Sequence, residues 1–460
     1  MMKASRYNFI YETENYISVC NIVSEEFIRF PEEKIDSVRR ILNDPEVNWN
    51  DLELVSYMQE KGFIIDDDYD EEKTYLKMLD RYKGNAGHLD LTIMPTLQCN
   101  FRCIYCYESH EIIDMDLETE DAIVAYVKSE IRKYPGLSIE WFGGEPLCAL
   151  ERIESLSRKL IRICEENKKP YMANITSNGY LLSPEVFRRL RRIKVQHYQI
   201  TVDGLPETHN FQKPFIDGSD TFETVILNLI NIKNQYPKGM YDITIRTNFT
   251  QQMLSTAKPF AKYLSQYFAD NPHFNLLWRL VGNFGGERIN SIRNLLLKDL
   301  SVLNEARLFA SKLGLPFKIN RTCLGVAGTL CYASTRNSYI ITPTGQLLKC
   351  TSFLDEPINN VGFLDDKGNM HLNENWEMWF QVEPCANKQC KNRPTCGGMI
   401  CPMGSLKEGT CKCPWDDNSI IDEMKILSEN SMTYECYRHR TELGKKSSNL
   451  EERNKHGDKL

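Results

Sequence analysis

The chain has 460 residues, of which 42% are hydrophobic and 26% charged, enough for two or three domains with packed cores. A net charge of −7 argues against nucleic acid as the main partner. No apolar run reaches the length of a membrane span and the opening MMKASRYNFIYETEN lacks an apolar signal region, so a cytoplasmic location without a membrane partner is expected.

Residues 5 to 30 hold three β-rich runs separated by polar turns at Glu12 to Asn15 and Ser24 to Glu26. Pro31 then opens a helical pattern whose apolar stripe is Ile35, Val38, Ile41 and Leu42. A second helix is expected near Asp51 to Lys61, stopped by Gly62 and followed by the short strand FII. Residues 66 to 84 read as an acidic, solvated linker helix. From residue 88 strands alternate with helices. The candidate strands are LDLTIMP, LSIEWFG, PYMANITS, HYQITVDG, DITIRTN and FNLLWRLVG, with helices such as ETEDAIVAYVKSEIRKY and SPEVFRRLRRI between them. Six such repeats predict an α/β class core, an open (βα)6 partial TIM barrel. Function in such folds collects at the C-terminal ends of the strands.

The first of these strands runs into CNFRCIYC, where Cys99, Cys103 and Cys106 are spaced CxxxCxxC. Three thiolates in one short loop suit a [4Fe-4S] cluster that keeps one iron open to an outside ligand. A zinc loop or a disulfide is the alternative, each disfavoured by the spacing and by the absence of a secretory signal. With the aromatic Tyr105 before the last cysteine, the motif resembles that of the radical S-adenosylmethionine (SAM) enzymes. The resemblance implies that the open iron chelates the methionine end of SAM and that electron transfer yields a 5'-deoxyadenosyl radical. It also implies an electron donor such as flavodoxin or ferredoxin.

Further residues follow the same strand ends. Gly143, Gly144, Glu145 and Pro146 form a GGEP motif after the second strand, where two glycines permit close backbone approach and Glu145 can accept from an ammonium. By resemblance this is the SAM amino-group site. Ser177 and Asn178 after the third strand would lie near the methionine or ribose, and Asp203 after the fourth near substrate or ribose; Asn-Gly and Asp-Gly are also ordinary turns. Arg246 at the end of the fifth strand would take the SAM carboxylate, and Leu280 and Val281 would flank adenine.

Ten of the sixteen cysteines follow residue 320, which reads as further metal or cluster ligation. Cys331, Gly345 and Cys350 resemble the opening of the SPASM extension, which holds auxiliary iron-sulfur clusters in some radical SAM enzymes. Here ITPTGQLLKC reads as strand, glycine turn, strand. The middle segment departs from the family spacing, being CxxxxCxxxxxCxxxxC over Cys385, Cys390, Cys396 and Cys401. Family topology implies one auxiliary [4Fe-4S] cluster on Cys323, Cys331, Cys350 and Cys401, and another on Cys385, Cys390, Cys396 and a late cysteine, for which Cys413 is preferred over Cys411 because CPWDDNSIIDEM opens a helix just after it, with Cys436 the outsider. Were Cys323 not a ligand, an open iron would be free for a substrate thiolate. Cys20, Cys148 and Cys164 are expected to be core thiols.

The expected organisation is thus a winged-helix-like leader-peptide recognition domain with linker helix at 1–84, the radical SAM partial barrel at 85–315, a cysteine-rich SPASM domain at 316–436 and a tail at 437–460. The whole resembles a radical SAM/SPASM maturase of a ribosomal precursor peptide, bound through its leader by β-augmentation and crosslinked through cysteine thioethers. A carbon-carbon peptide cyclase, an epimerase, an anaerobic sulfatase maturase, a zinc scaffold and a non-catalytic iron-sulfur peptide-binding module are the alternatives. The sulfatase maturases place an aspartate after the cysteine matching Cys350, where this chain has Thr351, which cannot serve as a comparable base.

Overall fold

The computed structural model describes residues 1–46, 51–83, 87–286, 288–297, 299–317, 324–381, 385, 387, 389–398, 401–408, 419–429 and 435–436. Cys323, Cys411, Cys413 and the tail at 437–460 lie outside these residues.

The N-terminal unit contains β1 (Met2–Ala4), β2 (Asn8–Glu12), β3 (Tyr16–Asn21) and β4 (Glu26–Pro31), then α1 (Ile35–Asn43), α2 (Leu52–Glu60) and β5 (Ile64–Asp66). Strands β2, β3 and β4 form an antiparallel meander. Alternation along β3 sends Ile17 and Val19 to one face, where they pack with the Val38, Ile41, Leu54 and Met58 stripes of α1 and α2. The closing strand β5 pairs with β1 and not with the meander. The three-residue β1 has no pattern of its own to announce it.

The other face of the meander is also covered. Cys20, on that side of β3, packs with Tyr7, Phe9, and Tyr75 and Leu79 of α3 (Glu71–Lys83). The helix expected to be solvated therefore buries one stripe, because Tyr75 and Leu79 are four residues apart and share a face. The helix Ser419–Ser428 joins this layer through Ile420, Met424 and Leu427, and Ser18 and Ser428 share a hydroxyl hydrogen bond of 2.8 Å. The strand Glu435–Cys436 then pairs in parallel with Ile28–Arg29 of β4. Residues 419–429 and 435–436 thus lie with the N-terminal sheet, and the latter two cover an edge of β4.

The central sheet has ten strands. Six are parallel and consecutive: β6 (Leu89–Ile93), β7 (Leu137–Trp141), β8 (Tyr171–Ser177), β9 (Val195–Thr201), β10 (Asp242–Phe249) and β11 (Phe274–Leu280). Between them run α4 (Leu117–Glu130), α5 (Leu150–Glu166), α6 (Pro184–Arg192), α7 (Pro206–Gln212), α8 (Phe222–Gln235) and α9 (Ala257–Phe268), and α10 (Asn304–Lys312) follows β11. The expected six repeats are present. β12 (Ser338–Ile341) pairs in parallel with β6, and β13 (Gln346–Leu348), β14 (Asn360–Leu364) and β15 (Met370–Leu372) extend the sheet antiparallel.

Side-chain alternation divides the barrel strands between two environments. Leu137, Ile139 and Trp141 of β7, and Tyr171, Ala173 and Ile175 of β8, are buried in the main core. The intervening residues are polar, including Glu140, Thr176, Gln199, Thr201 and Arg246. Thr176 donates to Glu140 at 2.8 Å and Gln199 to Thr176 at 3.3 Å. Among the described residues no helix is long and apolar enough to cross a membrane.

Candidate active site at the mouth of the barrel

The cysteine loop after β6 is fixed largely by backbone. Leu97 N donates to Ile113 O at 2.9 Å, Arg102 N to Pro214 O at 2.9 Å and Ile104 N to Gln212 O at 3.0 Å. The Arg102 guanidinium caps the Cys99 and Phe101 carbonyls at 2.7 Å. Cys99, Cys103 and Cys106 all line one pocket at the C-terminal mouth of the barrel. Phe101 N donates to the Cys99 sulfur at 3.4 Å, and the Cys106 sulfur lies 3.2 Å from His110 Nε2. Burial raises all three thiol pKa values, that of Cys106 to about 12. Such thiols ionise when a metal replaces the proton.

The GGEP turn locks onto this loop. Gly143 has φ +90°, a conformation open to glycine. A Cβ on Gly144 would fall 2.0 Å from Gln98 O, and Glu145 N donates to that oxygen at 2.7 Å. The close approach that needs Gly144 is therefore to the cysteine loop itself. The Glu145 carboxylate is buried and engaged: Oε1 accepts from Leu147 N at 3.1 Å and Ser177 Oγ at 2.8 Å, and Oε2 from Asn178 N at 2.7 Å. Asn178 in turn donates to Asn100 at 2.7 Å.

Of the residues singled out in the sequence, Gly143, Gly144, Glu145, Ser177, Asn178, Arg246, Leu280 and Val281 line the pocket with the three cysteines. Pro146 is buried in the turn behind them. Asp203 also stands behind the wall: it is fully buried, Tyr105 donates to its Oδ2 and Asn248 N to its Oδ1 at 2.8 Å. Each oxygen thus holds a donor of the chain, so Asp203 positions Tyr105 and Asn248. Arg246 donates through Nε to Asn248 at 2.9 Å.

Among the pocket residues that sequence reasoning missed, Glu108 and Lys213 carry charge. Glu108, two positions after Cys106, receives a hydrogen bond from Gly144 N, while its Oε2 is buried without a partner among the described residues. Burial, with Glu145 nearby, pushes its carboxyl up to about 8. Lys213 is 4% exposed and directs Nζ to the Cys103 sulfur at 3.6 Å. Adjacency to the motif could have flagged Glu108. Nothing local flags Lys213, which lies 110 residues from Cys103.

Farther along, β12 and β13 form the expected hairpin, with Gly345 at φ +77°. Cys331 sits among Cys350 and Cys401, whose charges add to burial in raising its pKa to about 12. Cys385 N donates to Gly398 O at 2.7 Å and Gly398 N to the Cys396 sulfur at 3.3 Å. Arg393 N donates to Cys390 O at 3.2 Å, so these three cysteines surround one short turn of chain. Cys20 and Cys164 are buried as expected, but Cys148 is exposed. It sits in the 3-10 turn Pro146–Ala149, before α5 begins at Leu150.

The chain matches the model of the radical SAM superfamily over residues 93–257. This span contains the cysteine loop, the GGEP turn and strands β7 to β10. The chain carries a radical SAM domain. It is 24% identical over 292 residues to an uncharacterized protein of Methanocaldococcus jannaschii, covering 62% of this chain and 92% of that one. It is 24% identical over 253 residues to the radical SAM cyclopropyl synthase TigE of Paramaledivibacter caminithermalis, covering 50% of this chain and 49% of the synthase. Among solved structures, native anSMEcpe with bound AdoMet and Cp18Cys peptide superposes with a TM-score of 0.54 at 18% identity, covering 74% of this chain and 96% of that one. At that identity the likeness is one of fold.

A radical SAM domain is an enzyme's and implies SAM and one [4Fe-4S] cluster. The donor set fits both. Three thiols face one pocket, a carboxylate oxygen there lacks a partner among the described residues, and Arg246 brings a guanidinium to the same wall.

Proposed function

We propose that the chain is a radical SAM maturase that closes intramolecular cysteine thioether crosslinks in a ribosomally made precursor peptide. The observation that carries this reading is the meeting of the radical SAM pocket with the cysteine-rich extension. The loop after β13, which holds Cys350, reaches the pocket rim: Ser352 pairs with the Tyr107 hydroxyl, and the Phe353 ring lies 5.5 Å from that of Phe284, itself 5.7 Å from Tyr107.

In this reading Cys99, Cys103 and Cys106 hold the radical SAM cluster. Gly143 to Pro146, Ser177, Asn178, Arg246, Leu280 and Val281 surround SAM. Cys331, Cys350 and Cys401 with Cys323 hold one auxiliary cluster, and Cys385, Cys390 and Cys396 with Cys413 the other. When bound, cluster and SAM supply hydrogen-abstracting radical chemistry driven by a flavodoxin or ferredoxin. The polar concave face exposes the peptide to that chemistry, and the aromatic rim excludes water. On the peptide one C–H and one S–H would be lost and one C–S bond would form: the C–H hydrogen atom would go to the deoxyadenosyl group, the S–H proton to solvent and the remaining electron to an auxiliary cluster, a net loss of two hydrogens from the peptide.

The peptide bound to anSMEcpe supports a peptide substrate here. Thr351 disfavours the formylglycine chemistry of a sulfatase maturase: its hydroxyl pairs with the Tyr332 hydroxyl at 2.8 Å and offers no carboxylate. Carbon-carbon closure is the second reading, favoured by the likeness to a cyclopropyl synthase.

The test is high-resolution mass spectrometry of a Cys-rich peptide encoded beside the gene, after anaerobic incubation with reconstituted enzyme, SAM and reductant. Loss of two hydrogens per modification with thiols closed to alkylation is expected. The same mass loss with free thiols would favour carbon-carbon closure. Unchanged mass despite 5'-deoxyadenosine release would overturn crosslinking of that peptide.

A further inference from the structure

A buried lysine normally has a carboxylate within reach, because desolvating an ammonium without one is costly. Lys213 is 4% exposed, yet among the described residues the polar side-chain atom its Nζ meets is the Cys103 sulfur, at 3.6 Å. Its remaining neighbours are π faces: Nζ lies 5.6 Å from the Phe101 ring centroid and 5.9 Å from that of Tyr105. Asp203 and Glu145, the carboxylates that act on it electrostatically, are already held, the first by Tyr105 and Asn248 and the second by Leu147, Ser177 and Asn178.

The placement is built by backbone. Arg102 N and Ile104 N, the residues flanking Cys103, donate to Pro214 O and Gln212 O, the residues flanking Lys213, at 2.9 and 3.0 Å. Lys213 is thereby set directly across from Cys103. Its own amide donates to His209 O at 2.7 Å and its carbonyl accepts from Thr221 Oγ1 at 2.7 Å, fixing the segment from the α7 side. Cys99 and Cys106 also act on it electrostatically. A fixed positive charge thus faces a set of sulfurs that a metal would convert to thiolates.

We infer that Lys213 is a positioning residue for the redox chemistry of the Cys99/Cys103/Cys106 cluster: its ammonium donates to Cys103 and, by its charge, favours the one-electron-reduced state. The inference rests on the reading of this loop as the radical SAM cluster site. A positive charge in a low-dielectric wall offsets the extra electron, so removing it makes reduction harder.

The test is an anaerobic potentiometric titration of the reconstituted full chain, followed by electron paramagnetic resonance. The radical SAM cluster is identified as the signal that changes when SAM is added, since its open iron takes the ligand. Lys213→Gln keeps a hydrogen-bond donor and removes the charge; Lys213→Arg keeps the charge. Expected is a shift of at least about tenfold toward the oxidised cluster in Lys213→Gln, about 59 mV for one electron, with Lys213→Arg within about threefold of wild type. Lys213→Met replaces Lys213→Gln should the latter hold no iron. An unchanged potential in the neutral variant at equal iron content overturns the inference and leaves the lysine a structural cation. A wild-type protein without a SAM-responsive iron-sulfur signal overturns the cluster reading and the inference together.

Discussion

Tyr105 donates a hydrogen bond to Asp203, tying the cysteine loop to the end of β9. Asn248 Nδ2 donates to the same phenol oxygen at 3.2 Å, and Asn248 N holds the other Asp203 oxygen at 2.8 Å. Three strand ends are thereby joined beneath the pocket. Tyr105→Phe leaves Asp203 Oδ2 buried and short of a donor, which costs about 1–3 kcal/mol. A lower unfolding midpoint in denaturant titration is expected, with reduced iron retention after reconstitution.

The two pocket glutamates are expected to separate in their effects. Glu145 already accepts three hydrogen bonds from the chain, so Glu145→Gln is expected to lower the melting temperature. Among the described residues Glu108 keeps one buried oxygen unpartnered, which leaves it able to accept from a ligand ammonium. Glu108→Gln is expected to weaken SAM binding about tenfold, close to 1.4 kcal/mol, at an unchanged melting temperature. Equilibrium dialysis with SAM and a thermal scan read the two quantities.

Asp90 on β6 gives a pH signature. Burial raises its pKa to about 6, against partial compensation by Ser138, His88 and Lys349. The native state therefore binds this proton more tightly than the unfolded chain, whose aspartates titrate near about 3.9. Its contribution is most favourable below the unfolded value and declines as pH rises through about 4 to 6. Asp90→Asn is expected to melt higher than wild type at pH 7, with the advantage shrinking toward pH 4.5. Melting temperatures of both proteins across that range check the sign.

The strand Glu435–Cys436 covers Ile28–Arg29 of β4. If a leader peptide adds to that edge by β-augmentation, it competes with the chain's own residues. Ending the chain at Glu429 keeps the helix Ser419–Ser428 and is expected to tighten binding of the precursor peptide severalfold, as read by fluorescence anisotropy. Equal affinity would move the leader to another surface.

The six barrel strands were legible because each carries an apolar alternation facing the helices, and the cysteine and GGEP motifs because their spacing is local. What escaped was long-range. The partner of β5 is the three-residue β1, too short to read. Tyr75 and Leu79 sit in a charge-rich helix, and the apolar cover they meet comes partly from residues beyond 320. Resemblance alone places Asp203 near substrate or ribose; its bonds to Tyr105 and Asn248 come from other segments and have no local signal. Lys213 owes its place to hydrogen bonds between Gln212–Pro214 and Arg102–Ile104, which no local pattern encodes.

The adjacency of β6, β12 and β13 has a consequence for how the two cysteine-bearing regions relate. Met94 N, at the start of the segment leading to Cys99, donates to Ile341 O of β12 at 2.9 Å, and Ile340 pairs with Leu348, two residues before Cys350. Neighbouring strands stand about 4.8 Å apart, and sliding one past another breaks its ladder. The extension is therefore laminated onto the barrel edge and has no hinge there. The backbone span between the two regions is set when the sheet forms, which leaves side chains such as Phe284 and Phe353 as the contacts there that can rearrange.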